Sequence, residues 1–200
     1  MWAQCPHRWK TAYIDGQREY SDNIHTLFGT SMHEVIQTFL TVMYNDTAKQ
    51  AEQLPLEDML LTRMKRNFEG VLKTNGGEMF CTEKDMVEFY GHGVEILKFI
   101  RKKRAQYFSK KGYELIGIEV PIDYDMPNNI KFIGYIDVVI RDTVRDVIKI
   151  YDIKTSTMGW NKYMKADKNK TDQLLLYKQF YSKQYNHPMD KIEVEYFIVK

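Results

Sequence analysis

The chain has little cysteine, little net charge and no long apolar run, and each shortage excludes a class of protein. Two cysteines among 200 residues, Cys5 and Cys81, are too few for a disulfide framework or a four-cysteine metal site. This low number fits a reducing compartment. A formal net charge of +2 excludes a polycation, so any contact with nucleic acid must come from local clusters of basic side chains.

Targeting and membrane signals are also missing. No apolar run approaches the roughly 18 residues that a membrane span requires, and the first residues, MWAQCPHRWK, lack the apolar segment of a signal peptide. We therefore expect a soluble, cytoplasmic protein without a membrane partner. No repeat, low-complexity tract or long linker interrupts the sequence. With 44% hydrophobic residues, residues 1–200 predict a single domain with a sizeable core.

The most informative stretch is residues 130–156, IKFIGYIDVVIRDTVRDVIKIYDIKTS. Two apolar, β-branched runs flank the polar segment RDTVRD, which predicts a β-hairpin. Strand alternation places Asp137 on one face of the first strand together with Ile133, Tyr135 and Val139. Asp137 is therefore expected among apolar neighbours.

The second strand of this hairpin carries two charged residues on one face, Asp152 and Lys154. A charge on a half-buried surface costs several kcal/mol unless it is paired or binds a metal ion. Two carboxylates that converge there repel each other, and a divalent cation turns that repulsion into attraction. The hairpin therefore predicts either a metal site or a salt bridge.

This hairpin resembles the core of the PD-(D/E)XK nucleases, specifically the branch with the nuclease domain of RecB and the CRISPR-associated adaptation nucleases. GYID contains Asp137, and DIK contains Asp152 and Lys154. The resemblance implies that the two aspartates bind Mg²⁺ or Mn²⁺, with the carbonyl of Ile153 as a further ligand. It also implies that Lys154 positions or activates the attacking water.

A second part of the resemblance lies in residues 28–44, FGTSMHEVIQTFLTVMY. Ser31 followed by Glu34 has capping-box spacing, which predicts a helix that begins at the serine. Helical spacing with Leu40 turns His33 inward. An inward histidine alone is more often a hydrogen-bonded core residue. However, a small-residue cap followed by histidine resembles the family motif in which the imidazole is a metal ligand.

Two further elements complete the order of motifs. Residues 114–122 alternate as a strand, and a glutamate at the place of Glu119 often lies near the metal in the family. A water-facing glutamate on an edge strand would show the same pattern. Within a predicted helix at residues 171–181, Gln173 and Tyr177 resemble the Gln-x-x-x-Tyr motif that faces the DNA backbone or the active site. The two side chains can also simply flank an apolar core.

Basic side chains form two groups that favour different interpretations. Lys162 and Lys165 belong to a predicted loop at residues 155–170 in which cations and aromatic rings alternate, a composition that suits single-stranded nucleic acid. A solvated loop without a ligand is equally consistent with it. A capping pair, Thr82 and Asp85, begins a predicted helix at residues 82–111. A second cluster of cations ends this helix: Lys98, Arg101, Lys102, Lys103, Arg104, Lys110 and Lys111. These cations either stabilise the C-terminal end of the helix through its dipole or form a phosphate-binding patch.

The order of the motifs predicts an α/β (α+β) fold. We expect a restriction-endonuclease-like αβββαβ core with a mixed central sheet and a helical insertion at about residues 46–111. Some relatives use a Cys-Pro near the N-terminus, as at Cys5, to hold an iron–sulfur cluster with three other cysteines. Those partners are absent from the sequence, so no cluster is expected and Cys5 is interpreted as a small packed side chain.

The resemblance implies a divalent-metal-dependent DNA nuclease. It favours an exonuclease that acts on DNA ends or single strands in recombination, repair or phage DNA metabolism, inside a bacterial or phage-infected cell and alongside recombination or replication proteins. Three alternatives stay open: a structure-specific endonuclease, a catalytically decayed DNA-binding accessory protein, and an ordinary ligand-binding or structural domain. In the last of these, Asp152 and Lys154 form a simple salt bridge.

Overall fold

The structure is a computed structural model that describes residues 5–17, 22–156, 159–165 and 167–199. The helices are α1 (Pro6–Tyr13), α2 (Ile24–Asn45), α3 (Ala48–Glu52), α4 (Leu56–Thr74), α5 (Glu83–Tyr107), α6 (Lys162–Lys165) and α7 (Lys168–Tyr185). The strands are β1 (Tyr113–Met126), β2 (Ile130–Asp142), β3 (Val147–Thr155) and β4 (Ile192–Val199). None of the helices in these residues has an apolar stretch long enough to span a bilayer.

The four strands form one mixed sheet in the order β1-β2-β3-β4. The pairs β1–β2 and β2–β3 are antiparallel, whereas β3 and β4 are parallel and are connected through α7. The order α2, β1, β2, β3, α7, β4 is the predicted αβββαβ core, and α3, α4 and α5 lie between α2 and β1. The prediction of an α+β fold with a mixed central sheet is therefore confirmed.

Helices cover both faces of the sheet, and β3 shows how the two layers are separated. Tyr151 and Ile153 pack into the core formed with α2, α4 and α5. Ile148 and Ile150 pack into a second core on the other face, against the α7 side chain Phe180. Because alternate residues of a strand point to opposite faces, both layers bury apolar area against the same strand.

The long β1–β2 hairpin changes face about halfway along its length. Val138 belongs to the core of α2, whereas Ile136, two residues earlier, belongs to the core of α7. On the opposite strand, Ile118 packs against the first core and Val120 lies in the second. Between these two residues, Glu119 has a φ of 50°, in the left-handed region that residues other than glycine rarely adopt. At Glu119, therefore, the side chains of the hairpin exchange the two faces of the sheet.

Helix α2 begins earlier than the sequence predicted. Its first residue is Ile24, and the side chain of Asn23 caps it. Ser31 lies inside the helix, where its hydroxyl donates to the carbonyl of Leu27 at 2.8 Å. The predicted capping box at Ser31 and Glu34 is wrong because the apolar stripe of the helix continues upstream through Leu27.

Helix α5 uses one of its two glycines for close packing. Thr82 and Asp85 form the capping box that starts the helix, as predicted. A Cβ atom placed on Gly93 would lie only 2.4 Å from Cδ2 of Leu60, a fully buried side chain of α4. Gly91, in contrast, has nothing within 4 Å of such an atom. Helices α4 and α5 therefore approach each other closely at Gly93.

We predict opposite effects of alanine at these two glycines. Gly91→Ala should raise the free energy of unfolding by about 0.5–1 kcal/mol, because alanine is the better helix former. Gly93→Ala should lower it by about 1–2 kcal/mol, because overpacking against Leu60 exceeds the same propensity gain. Urea unfolding of the two single variants measures both values. Shifts of the same sign would contradict close packing at Gly93.

The basic side chains near the end of α5 bind other parts of the protein. Arg101 donates to the carbonyl of Leu54 at 2.7 Å, and Arg104 pairs with Glu52 at 2.8 Å. Lys110 donates to backbone carbonyls at the C-terminal end of α2. These contacts favour a structural role for Arg101, Arg104 and Lys110 over phosphate binding.

Candidate metal and catalytic site

Strands β2 and β3 separate where their aspartates lie. Their last backbone pair is Val138 with Tyr151, so Asp137 and Asp152 lie just beyond the regular ladder. There the amide of Ile153 donates to Oδ2 of Asp137 at 2.6 Å. The carboxylate thus takes the place of a backbone partner, and both aspartates lie at an opening between the strands.

Helix α2 supplies two polar side chains to this opening, one turn apart. Nδ1 of His33 lies 3.7 Å from Oδ2 of Asp137. The amide of Gln37 donates to Oε1 of Glu119 at 2.5 Å and also to the carbonyl of Asp137, at 3.4 Å. Gln37 is buried, so these bonds fix the position of Glu119 beside Asp137. The structure therefore places His33 beside Asp137, and Gln37 links Glu119 to the same part of β2.

Helix α7 supplies two more side chains from the other face of the sheet. Nε2 of Gln173 donates to Oδ1 of Asp152 at 3.2 Å and to the hydroxyl of Tyr177 at 3.3 Å. Its Oε1 accepts from the hydroxyl of Tyr196 at 3.3 Å. A Cβ on Gly134 would lie 3.2 Å from the ring of Tyr177, so the ring packs directly on β2. Gln173 therefore reaches the acidic centre.

Asp152 is deeply buried and has a cation beside it. Only 3% of the Asp152 surface is exposed. Nζ of Lys154 lies 2.5 Å from Oδ2, as an ion pair without hydrogen-bond geometry. The ammonium also lies 5.8 Å from the centre of the Tyr196 ring. Lys154 therefore supplies the positive charge that the buried carboxylate requires.

Burial shifts the titration of the groups in this site. Burial first, and then the charge of Asp152, raise the pKa of Asp137 to about 7. Burial also raises the pKa of Asp152, although Lys154 opposes that shift. Burial and the charge of Lys154 lower the pKa of His33, which keeps the imidazole neutral and able to offer a lone pair. A divalent cation would offset the cost of ionising both carboxylates.

An imidazole and carboxylates are suitable ligands for a divalent cation, but in this structure they are not yet arranged around one point. The imidazole of His33 and the carboxylate of Asp137 are neighbours, and the backbone of Ile153 lies within hydrogen-bonding reach of the same imidazole. Within the part of the chain that the structure describes, no three His, Cys, Asp or Glu side chains converge as a ready ligand group. A cation bound to Oδ2 of Asp152 would therefore compete with the ammonium of Lys154, which lies 2.5 Å from that oxygen.

Residues 155–170 carry the predicted mixture of cations and aromatic rings. Nζ of Lys162 lies 5.0 Å from the ring centre of Tyr163, and Nζ of Lys170 lies 4.6 Å from that of Trp160. Tyr163 is 75% exposed. The side chain of Lys165 lies outside the described residues. The segment is not a loop throughout, because it contains α6 and the first turn of α7.

Two features of the sequence analysis need correction. Cys5 is exposed, so its interpretation as a small packed side chain is wrong; Cys81 is the buried cysteine. Gln37 was missed as a site residue, although its signal was present in the sequence. A glutamine four positions after His33 shares its helical face, and that face is otherwise apolar.

One of two comparisons with known proteins places the chain in a family. The sequence profile described as the PD-(D/E)XK nuclease superfamily matches residues 2–200. A search of curated proteins gave no match. The matched region spans nearly the whole chain and includes every side chain of the site described above.

Proposed function

Because the chain belongs to the PD-(D/E)XK nuclease superfamily, whose members use divalent metals, we propose that Asp137, Asp152 and Lys154 form the reaction centre of a metal-dependent deoxyribonuclease. One observation carries the proposal. At the opening between β2 and β3, the imidazole of His33 lies 3.7 Å from Asp137, and the ammonium of Lys154 lies 2.5 Å from Asp152. An imidazole–carboxylate pair and an amine–carboxylate pair, built from distant parts of the chain, therefore lie at the same opening.

The metal ligands that we propose are His33, Asp137, Asp152 and the carbonyl of Ile153, with Glu119 beside them. Oxygen donors suit Mg²⁺, and one imidazole among them shifts the preference towards Mn²⁺. When bound, the ion supplies a nucleophilic water near neutral pH and offsets negative charge on the phosphate.

The remaining side chains orient these groups. Gln173 holds one oxygen of Asp152 and so fixes the carboxylate plane. About a third of the Lys154 side chain is exposed, and its flexible stem lets the ammonium leave Asp152 for the attacking water or the phosphate. There the positive charge stabilises the pentacovalent state. Gln37 holds Glu119 against the same opening.

The substrate that we propose is a DNA end or a single strand, with an exonuclease reaction. Tyr163 and Lys162 lie on α6, and an exposed ring beside an ammonium suits stacking of an unpaired base. Lys165, Gln173 and Tyr177 complete the substrate contacts in this proposal. Such an enzyme fits recombination, repair or phage DNA metabolism.

Cleavage assays on defined DNA ends test the proposal. The purified chain is incubated with end-labelled single-stranded, end-labelled double-stranded and circular DNA, with Mg²⁺, Mn²⁺ or a chelator. We expect linear single strands to be degraded with either metal and no degradation with the chelator. Cutting of the circular DNA would favour a structure-specific endonuclease. Binding without any cleavage would instead indicate a decayed accessory protein.

A further inference from the structure

A groove of about 400 Å³ lies between α2 and α4, and Gln37, which bonds to Glu119, is one of its lining residues. From α2 it is lined by Gln37 and Thr41, and from α4 by Arg63 and Arg66. Ile118 of β1 forms its apolar wall. Neither the catalytic residues nor the aromatic segment near α6 belong to this groove.

Two guanidinium groups in the groove share one carboxylate. Nη2 of Arg66 donates to both oxygens of Glu34, at 2.6 Å for Oε1. Nε of Arg63 lies 3.4 Å from Oε2 of the same carboxylate. Two positive charges against one negative charge leave the groove with a positive excess. The side chains of Arg63 and Arg66 are 34% and 51% exposed, so an incoming anion can reach both.

Gln37 connects the groove to the acidic site. Its buried side chain lines the groove, and the same amide donates to Glu119. Glu34, the carboxylate held by the arginines, directly follows His33 in α2. An anion in the groove would therefore lie one side chain away from the reaction centre.

We infer that Arg63 and Arg66 bind a backbone phosphate of the DNA strand next to the phosphate that is cleaved. The inference rests on the proposed function. The planar guanidinium fork matches phosphate oxygens as well as it matches a carboxylate. Glu34 occupies the fork in the free protein, and the phosphate displaces it when DNA binds.

The competing explanation for this arginine–glutamate network is that it only holds α2 against α4. Arg66 also donates to Oδ1 of Asn67, and Asn67 donates to Ser31 of α2 at 3.0 Å. If holding α2 to α4 is the only role of this network, removing Glu34 or Arg66 breaks the same ion pair and produces the same effect. A phosphate site predicts effects of opposite sign.

Binding of a fluorescent single-stranded oligonucleotide, measured by anisotropy in chelator at several salt concentrations, separates the two explanations. Arg66→Gln should weaken binding about tenfold and reduce the slope of log affinity against log salt by about 0.7, the value for one phosphate contact on a single strand. Glu34→Gln should tighten binding about threefold or more, because it frees both arginines for the phosphate. Thermal unfolding of each variant checks that it is folded.

Arg141→Gln is the matched control. Arg141 is 46% exposed and pairs with Asp146 at 2.7 Å in the β2–β3 turn, away from the groove. Its replacement should leave affinity and salt slope unchanged. The inference fails if Glu34→Gln and Arg66→Gln shift affinity in the same direction, if neither shifts it, or if the wild type does not bind the oligonucleotide. Failure of the proposed function is seen separately, as absence of metal-dependent cleavage by the wild type.

Discussion

Asp152→Asn should lower kcat for metal-dependent cleavage by about 10³-fold or more while the protein stays folded. A catalytic metal supplies several kcal/mol of transition-state stabilisation, and about 1.4 kcal/mol corresponds to a factor of ten in rate. Asparagine has nearly the same shape, and its Oδ1 can still accept from Gln173. The melting temperature without metal should therefore change little. The increase in melting temperature that Mn²⁺ gives the wild type should be lost.

Asp142→Asn is the control for this substitution. Asp142 is similarly buried, but it lies at the β2–β3 turn and accepts from the amides of Val144 and Arg145. Bonds from Arg145 hold the pKa of Asp142 at about 2, so the stability it contributes is lost as the pH falls from about 4 to about 2. The Asp142 variant should cleave DNA normally and lose acid resistance. Equal loss of cleavage in both variants would mean that burial, rather than chemistry, explains the result.

Lys154→Met should lower kcat by about 10²-fold or more and leave metal binding intact or tighter. Methionine keeps an unbranched apolar stem but removes the ammonium that lies on Asp152. A cation then meets no competitor for that carboxylate. Titration calorimetry with Mn²⁺ and a cleavage assay measure the two effects in the same preparation.

The two substitutions therefore have different signatures. Asp152→Asn should lose both cleavage and metal binding, whereas Lys154→Met should lose cleavage alone. Without metal the Lys154 variant should also be less stable, because its buried carboxylate lacks a counter-charge, and Mn²⁺ should restore that stability. An active Lys154→Met protein would contradict the proposed role of the amine.

Local patterns in the sequence predicted the core of the fold. Alternation and the polar segment between the two runs were sufficient for the β2–β3 hairpin, and the capping pair at Thr82 was sufficient for the start of α5. These features depend on neighbours that are close in the chain. The start of α2 was predicted wrongly because a serine and a glutamate three positions apart also occur inside helices. There a serine hydroxyl bonds back to a carbonyl one turn earlier.

The surroundings of Asp137 could not be predicted in this way. Alternation placed Ile133, Tyr135 and Val139 on its face as apolar neighbours. Ile133 and Tyr135 are in fact 63% and 57% exposed, whereas Val139 is buried. The hairpin turns over at Glu119 so that its two halves can pack under different helices. That change depends on tertiary packing, which a period-two pattern does not contain.

The bond from the Ile153 amide to Asp137 makes the two proposed catalytic aspartates unequal as targets for inactivation. Asp137→Ala would leave the buried N–H of Ile153 without its acceptor, a loss that typically costs about 1–3 kcal/mol. An inactive Asp137→Ala protein would thus combine a chemical defect with a weakened contact between β2 and β3. For trapping an uncleaved complex, Asp152 is therefore the better residue to replace, because its side chain does not connect two strands.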